Sequence, residues 1–243
     1  MYIKYQISGF FFKQATKNEV NSVLLKWNTY YKGLSTVNQA IFQNRTLLFL
    51  KTTRFLSDSN FFVSHEMKIV ISSAFTQLTF GLKTATLSKF NTIFITPSSY
   101  SYKNRNQLFD GDVNIKTNRI NLSWPAVERG FKISNDALNL CIHEFGHCLL
   151  LENTKTTYFS IFSKANFIQL KNTALQQMEK MRKTENSFLR PYASENFMEF
   201  FAVSLEAFFE KPQEFSKELP ILYDSLARLL RQDPRRKRFP ILN

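Results

Sequence analysis

Apolar residues recur along the chain at two different periods, and the changes of period mark out its elements. Over residues 18–31, Val20, Val23, Leu24 and Trp27 fall on one stripe at helical spacing, and Gly33 ends the run. Ser35 then caps a longer helix to about Phe55, carrying Ile41, Leu48 and Phe55. Ser64 caps a third, with Glu66 in its first turn and Gly81 at its end, the order of polar cap and glycine that helix termini favour. The period then shortens. Asn91–Thr96 reads as a strand closed by Pro97, and Ile120–Trp124 as a second strand stopped by Pro125. Residues 98–117 between them are polar and read as irregular. Helical spacing returns from Asn135 to Leu151, from Ser160 to Thr184, from Ser194 to Glu210 after the break at Pro191, and from Pro220 to Gln232. Helices first, a few strands in the middle and helices last predict an α+β fold.

No repeat occurs at periods of 20–50 residues, and no linker is long enough to force two independent domains. The expectation is one domain over 1–243. A shallow division near residue 152 would give lobes 1–152 and 153–243 across one cleft, with a basic tail from 235 to 243.

Composition narrows the function. The 243 residues are 44% hydrophobic, enough to bury a core, which excludes a disordered or low-complexity chain. The six glycines form neither a G-x-x-x-x-G-K nor a G-x-G-x-x-G loop, so no phosphate cradle is expected. The net charge is +13, and Arg231, Arg235, Arg236, Lys237 and Arg238 gather near the end. Such a run reads as a solvated tail, and the aromatic residues are spread as core, so nucleic acid is not the expected partner. The apolar stretch around Phe10–Phe12 is too short for a signal or spanning segment. Cys141 and Cys148 lie seven apart on one helix, about 10 Å along its axis, too far to bridge. A soluble, cytoplasmic protein without a membrane partner is expected.

His143-Glu144-Phe145-Gly146-His147 is an H-E-x-x-H motif. On a helix, positions i and i+4 stand on one face, so the two imidazoles can share a metal ion. Glu144 lies about 100° round from His143 and can reach a metal-bound water without being a ligand. That is the pattern of a hydrolytic zinc site. Two of the chain's three histidines fall in the motif, and the flanking leucines predict a buried helix. A catalytic zinc needs a third protein ligand. Position 153 is Asn153, so no third histidine follows at the expected spacing, and His65 reads as a first-turn surface residue. A carboxylate from a later helix remains. Glu195, Glu199, Glu206 and Glu210 lie within about 60° of one another on the helix after Pro191. Spacing does not choose among them, and such a stripe reads more readily as a solvated face.

The motif, together with Tyr192-Ala193-Ser194-Glu195-Asn196-Phe197-Met198-Glu199-Phe200-Phe201-Ala202-Val203, resembles the Mlc titration factor A family of zinc metallopeptidases. It is also similar to the catalytic domain of anthrax lethal factor around the metal site. The likeness to the titration factor family continues through Ile120–Trp124, Val127, Gly130, Asn139-Leu140, Glu206–Pro212, Pro220, Leu222-Tyr223 and Asp233-Pro234. It runs over roughly residues 33 to 234. Thr154–Arg190 carries no motif that matches the family, and the tail is more basic. The resemblance implies a zincin-like fold of gluzincin type, mostly helical, with Zn2+ on His143, His147 and Glu199. It implies Glu144 as general base, Tyr192 as oxyanion donor, and a peptide or protein substrate. The family is named for sequestering a transcriptional repressor, so a regulatory binding protein with little turnover is the alternative. From its place before the metal helix, Ile120–Trp124 is expected to be an edge strand that pairs with an extended peptide.

Overall fold

The computed structural model describes residues 14–102, 107–153, 161–184 and 187–236. The expectations for Phe10–Phe12, for a helix start at Ser160 and for Lys237 and Arg238 lie outside these residues. The chain is mostly helical with one small mixed sheet, an α+β arrangement.

The first helical stripe is split in two. Helix α1 (Gln14–Trp27) buries Val20 and Leu24. Asn28 then caps the single turn α2 (Thr29–Lys32) by accepting from the Tyr31 N–H at 2.8 Å. Ser35 caps α3 (Thr36–Thr52) as expected, through Asn38 N–H. That helix stops short of Phe55, because Arg54–Ser57 peels off as strand β1 and pairs Phe55 with Ile93. Ser64 caps α4 (His65–Thr79) through Met67 N–H at 3.2 Å. His65 is at the surface in its first turn, paired with Glu19.

Strand β2 (Thr92–Thr96) lies between β1 and β4 (Arg119–Ser123), parallel to both. The polar stretch also contains β3 (Gly111–Asn114), antiparallel to β4, so the sheet order is β1-β2-β4-β3. This corrects two readings. Part of 98–117 is strand, and the predicted edge strand at 120–124 is interior, paired on both sides. The edge beside it is β3, whose outer side pairs with no strand among the described residues.

Pro125 does more than end β4. It sits in the first turn of α5 (Trp124–Lys132), where its missing N–H costs nothing. Trp124 packs edge-on to Trp27, with centroids 6.3 Å apart. The next helix, α6 (Leu140–Asn153), begins five residues later than periodicity suggests. Ala137 is left-handed (φ 61°), and the Asn139 side chain accepts from Ile142 N–H at 3.2 Å, which fixes the start. The remaining helices are α7 (Lys164–Lys183), α8 (Phe197–Glu210), α9 (Pro212–Glu218) and α10 (Pro220–Leu230). A 3-10 turn, Pro191–Ser194, precedes α8. Asn196 caps α8 through the N–H groups of Met198 and Glu199.

One face of the sheet (Ile93, Ile95, Ile120, Leu122) joins α4, α6 and α8 in the main core. Phe145 of α6 stands edge-on to both Phe49 and Phe75, which are stacked at 4.2 Å. Burying each such ring contributes about 1.5–3 kcal/mol. Helix α6 is therefore held on the sheet side by its apolar residues, while its histidines turn toward α8. Cys141 and Cys148 are free and buried, and burial pushes both thiols above their ordinary range.

Candidate metal centre

The two histidines sit one turn apart on α6 with ring centroids 4.7 Å apart, and both are buried. Across from them, α8 presents Glu199 in its first turn, where the Asn196 cap and the helix dipole favour a carboxylate. Gly146 permits this approach: a Cβ there would lie 2.8 Å from Leu205 Cδ1 of α8. Glu199 Oε2 is 3.0 Å from His143 Nε2 and 3.5 Å from His147 Nε2. The ligand atoms of His143, His147 and Glu199 all lie within 4.8 Å of one another, so the three can hold a metal ion. Two imidazoles and one carboxylate are a donor set that suits zinc, with room for a fourth ligand.

The local charges fit such a centre. Burial alone would raise the Glu199 carboxyl, but its hydrogen bonds to His143 and His147 hold it well below the usual range. Burial alone would lower His143, but Glu199 and Glu206 together carry its pKa up to about 10. Glu144 is buried, and desolvation raises its carboxyl against the opposing pull of His143 and His147. Its Oε2 has no hydrogen-bond partner, a buried acceptor aimed at nothing in the chain. Strand β3 closes over it at Gly111, where a Cβ would come within 3.0 Å of Glu144 Oε1.

Tyr192, in the 3-10 turn, lies over His143 with ring centroids 6.1 Å apart and planes at 28°. It is 45% exposed, and burial with the nearby Glu199 and Glu195 charges pushes its phenol up to about 12. A cleft of about 400 Å³ opens here, lined by Phe109, Gly111, Leu138, His143, Glu144 and Tyr192 among others.

The acidic stripe divides. Glu199 faces both histidines from the Nε2 side. Glu206, 2% exposed, reaches His143 from the other side, 3.0 Å from Nδ1. Glu210 accepts from Leu138 N–H and the Asn139 amide. Glu195 sits at the end of the 3-10 turn, where its backbone N–H donates to Tyr192 O at 3.2 Å. The solvated-face reading is thus overturned for Glu199 and Glu206, because α6 packs against that side of α8. Sequence reasoning missed Arg190, which donates to Glu206, and Gly111, which confines Glu144. Neither carries a local signal. Asn139 had one, as a helix-capping residue four positions before His143.

Fold and site together define a mostly helical α+β protein with a metal-capable His-His-Glu group in a buried cleft. The model of the glucose-regulated metallo-peptidase M90 family matches residues 7–231, and the chain belongs to that family. It is 23% identical over 221 residues to the uncharacterized protein slr2042 of Synechocystis sp., covering 84% of this chain and 80% of that one. It is 30% identical over 120 residues to Mlc titration factor A of Edwardsiella ictaluri, covering 46% of this chain and 45% of that protein. The resemblance read from the sequence is borne out at the level of the family. Among the described residues, no helix is long and apolar enough to cross a membrane.

Proposed function

We propose that the chain is a zinc-dependent peptidase with a zincin-like fold of gluzincin type, holding Zn2+ on His143, His147 and Glu199. The observation that carries this reading is the convergence of those three ligand atoms within 4.8 Å beside a buried, unpartnered Glu144 oxygen. The histidines come from α6 and the glutamate from α8, on either side of residue 152. The reading therefore takes the chain as one domain whose two lobes meet at the site.

A bound zinc ion would act as a Lewis acid and lower the pKa of a coordinated water to about 7. Glu144 takes the proton from the attacking water. Its enclosure, which raises its pKa, makes it the stronger base for that step. Glu144 then passes the proton to the leaving amine. Tyr192 donates its phenolic hydrogen to the oxygen of the scissile carbonyl as negative charge develops there, worth about 2–4 kcal/mol in comparable donors. The outer side of β3, which pairs with no strand among the described residues, would offer main-chain groups to an extended peptide beside Gly111 and Glu144.

The test is zinc per chain after metal stripping and re-equilibration, followed by cleavage of a quenched-fluorescent peptide library. The wild type should hold one zinc, Glu199→Ala should lose it, and Glu144→Gln should keep it while turnover falls by about 10²–10⁴-fold. Zinc retained in full by Glu199→Ala would refute the ligand assignment. A second reading rests on the similarity to Mlc titration factor A, whose name describes titration of Mlc. There the chain would sequester a transcriptional repressor, and its complex would survive Glu144→Gln unchanged.

A further inference from the structure

Glu206, 2% exposed against 5% for Glu144, is the more deeply buried of these two carboxylates, and the peptidase reading gives it no part. Its Oε2 is 3.0 Å from His143 Nδ1 and 2.5 Å from Arg190 Nη2. Its Oε1 accepts from Asn139 N–H at 2.8 Å. The donors come from three places: the body of α6, the residue that caps α6, and the residue that leads into the 3-10 turn bearing Tyr192. Asn139 is anchored in turn to Gly130 O at 3.1 Å. Burying a charge is costly, and an apolar side chain of similar size would pack α8 against α6 at least as well. The charge therefore needs a reason other than packing. The two histidines also differ. His147 Nδ1 is buried without a hydrogen-bond partner, so only His143 is held through its second nitrogen.

From this network we infer that Glu206 is a positioning residue for the metal centre. It accepts the Nδ1 proton of His143, which turns Nε2 toward Glu199, and through Arg190 it pins the 3-10 turn that carries Tyr192. A carboxylate on the remote nitrogen of a ligating imidazole fixes its tautomer and raises its basicity as a ligand. One side chain would thus set both how tightly the ion is held and where Tyr192 stands. The inference rests on the metal reading above.

Glutamine cannot replace it. The three donors approach both oxygens, and an amide has only one acceptor atom, so either His143 with Arg190 or Asn139 would face an N–H group. The experiment uses the full chain loaded with zinc. Affinity is measured by competition with a chromophoric chelator in the wild type, Glu206→Gln, Arg190→Ala and Glu199→Ala. The histidine nitrogens of the wild type are followed by 15N NMR, and backbone amide exchange is measured over residues 190–196. The wild type should show His143 metallated at Nε2, with a slowly exchanging Nδ1 proton. Glu206→Gln should bind zinc about 10–100-fold more weakly. Arg190→Ala should stay within about threefold of the wild-type affinity while exchange over 190–196 accelerates. Metallation of His143 at Nδ1 would overturn the inference, as would a Glu206→Gln affinity within twofold of wild type. If Glu206→Gln does not fold, the nitrogen assignment in the wild type decides. Loss of zinc in Glu199→Ala without any change in Glu206→Gln would defeat this inference alone, whereas no zinc in the wild type would defeat the metal reading as well.

Discussion

Gly111→Ala should separate catalysis from metal binding in one methyl group. The new Cβ would lie 2.7 Å from Leu140 Cδ1, 3.0 Å from Glu144 Oε1 and 3.2 Å from Glu144 Cγ. Carbon pairs attract at about 3.5–4.0 Å, so the leucine methyl must retreat by roughly 0.8 Å. Leu140 can do this by turning its flexible end. Glu144 is buried and has less room, so its carboxylate shifts or the strand lifts. Overpacking of this kind costs about 1–3 kcal/mol of stability. The larger effect falls on rate: Glu144 must give by a few tenths of an ångström, and a displacement of about 1 Å in a reacting group can cost roughly 100-fold, so a shift of about a third of that costs roughly 5-fold. None of the three atoms nearest the new methyl belongs to a histidine or to Glu199, so zinc content should remain at the wild-type level. The assay is kcat for a quenched-fluorescent peptide beside zinc per chain and the thermal midpoint. A kcat fall of about 3–10-fold with metal retained is expected. Turnover within twofold of wild type would refute the placement of Glu144 under β3, and loss of zinc would show that the strand supports the ligands instead.

Two further outcomes follow from the surroundings of the site. Asn196→Ala removes the acceptor for the Met198 and Glu199 N–H groups, should cost about 1 kcal/mol in chemical denaturation, and should weaken zinc binding because Glu199 sits in the turn that frays. Glu210 is raised from 4.5 to about 8 chiefly by burial and further by Asp136, against the opposing hydrogen bonds from the Asn139 amide and Leu138 N–H. The unfolded chain ionises this group first, so its contribution is fully present below about pH 4.5 and is lost as pH rises through about 8. The thermal midpoint of metal-free wild type should therefore fall relative to Glu210→Gln across that window, and parallel profiles would contradict the assignment.

The helices with polar caps were legible because their signals are local. Ser35 and Ser64 cap where the pattern places them, and the H-E-x-x-H spacing alone aligns His143 with His147. What escaped depends on partners distant in sequence. Strand β3 is only Gly-Asp-Val-Asn, residue types that are mostly poor in strands, and it exists because β4 offers an edge. Pro125 ends one element and starts the next, and periodicity sees only the ending. Phe55 fits the stripe of α3, yet it is worth more beside Ile93 in the sheet. The acidic residues of α8 were visible as a stripe, but which of them meets an imidazole depends on the rotation of α6 against α8, set by Gly146 and the packing around it.

The side of β3 that pairs with no strand among the described residues also bears on how the protein behaves in concentrated solution. An open strand edge does not distinguish a substrate from another copy of itself, and it is a template for self-association. Here the strand is four residues long, so it presents few main-chain groups to either visitor. Lengthening it to grip peptides harder would equally strengthen pairing between molecules. Under the proposed function, substrate capture and self-association would draw on the same short row of amides.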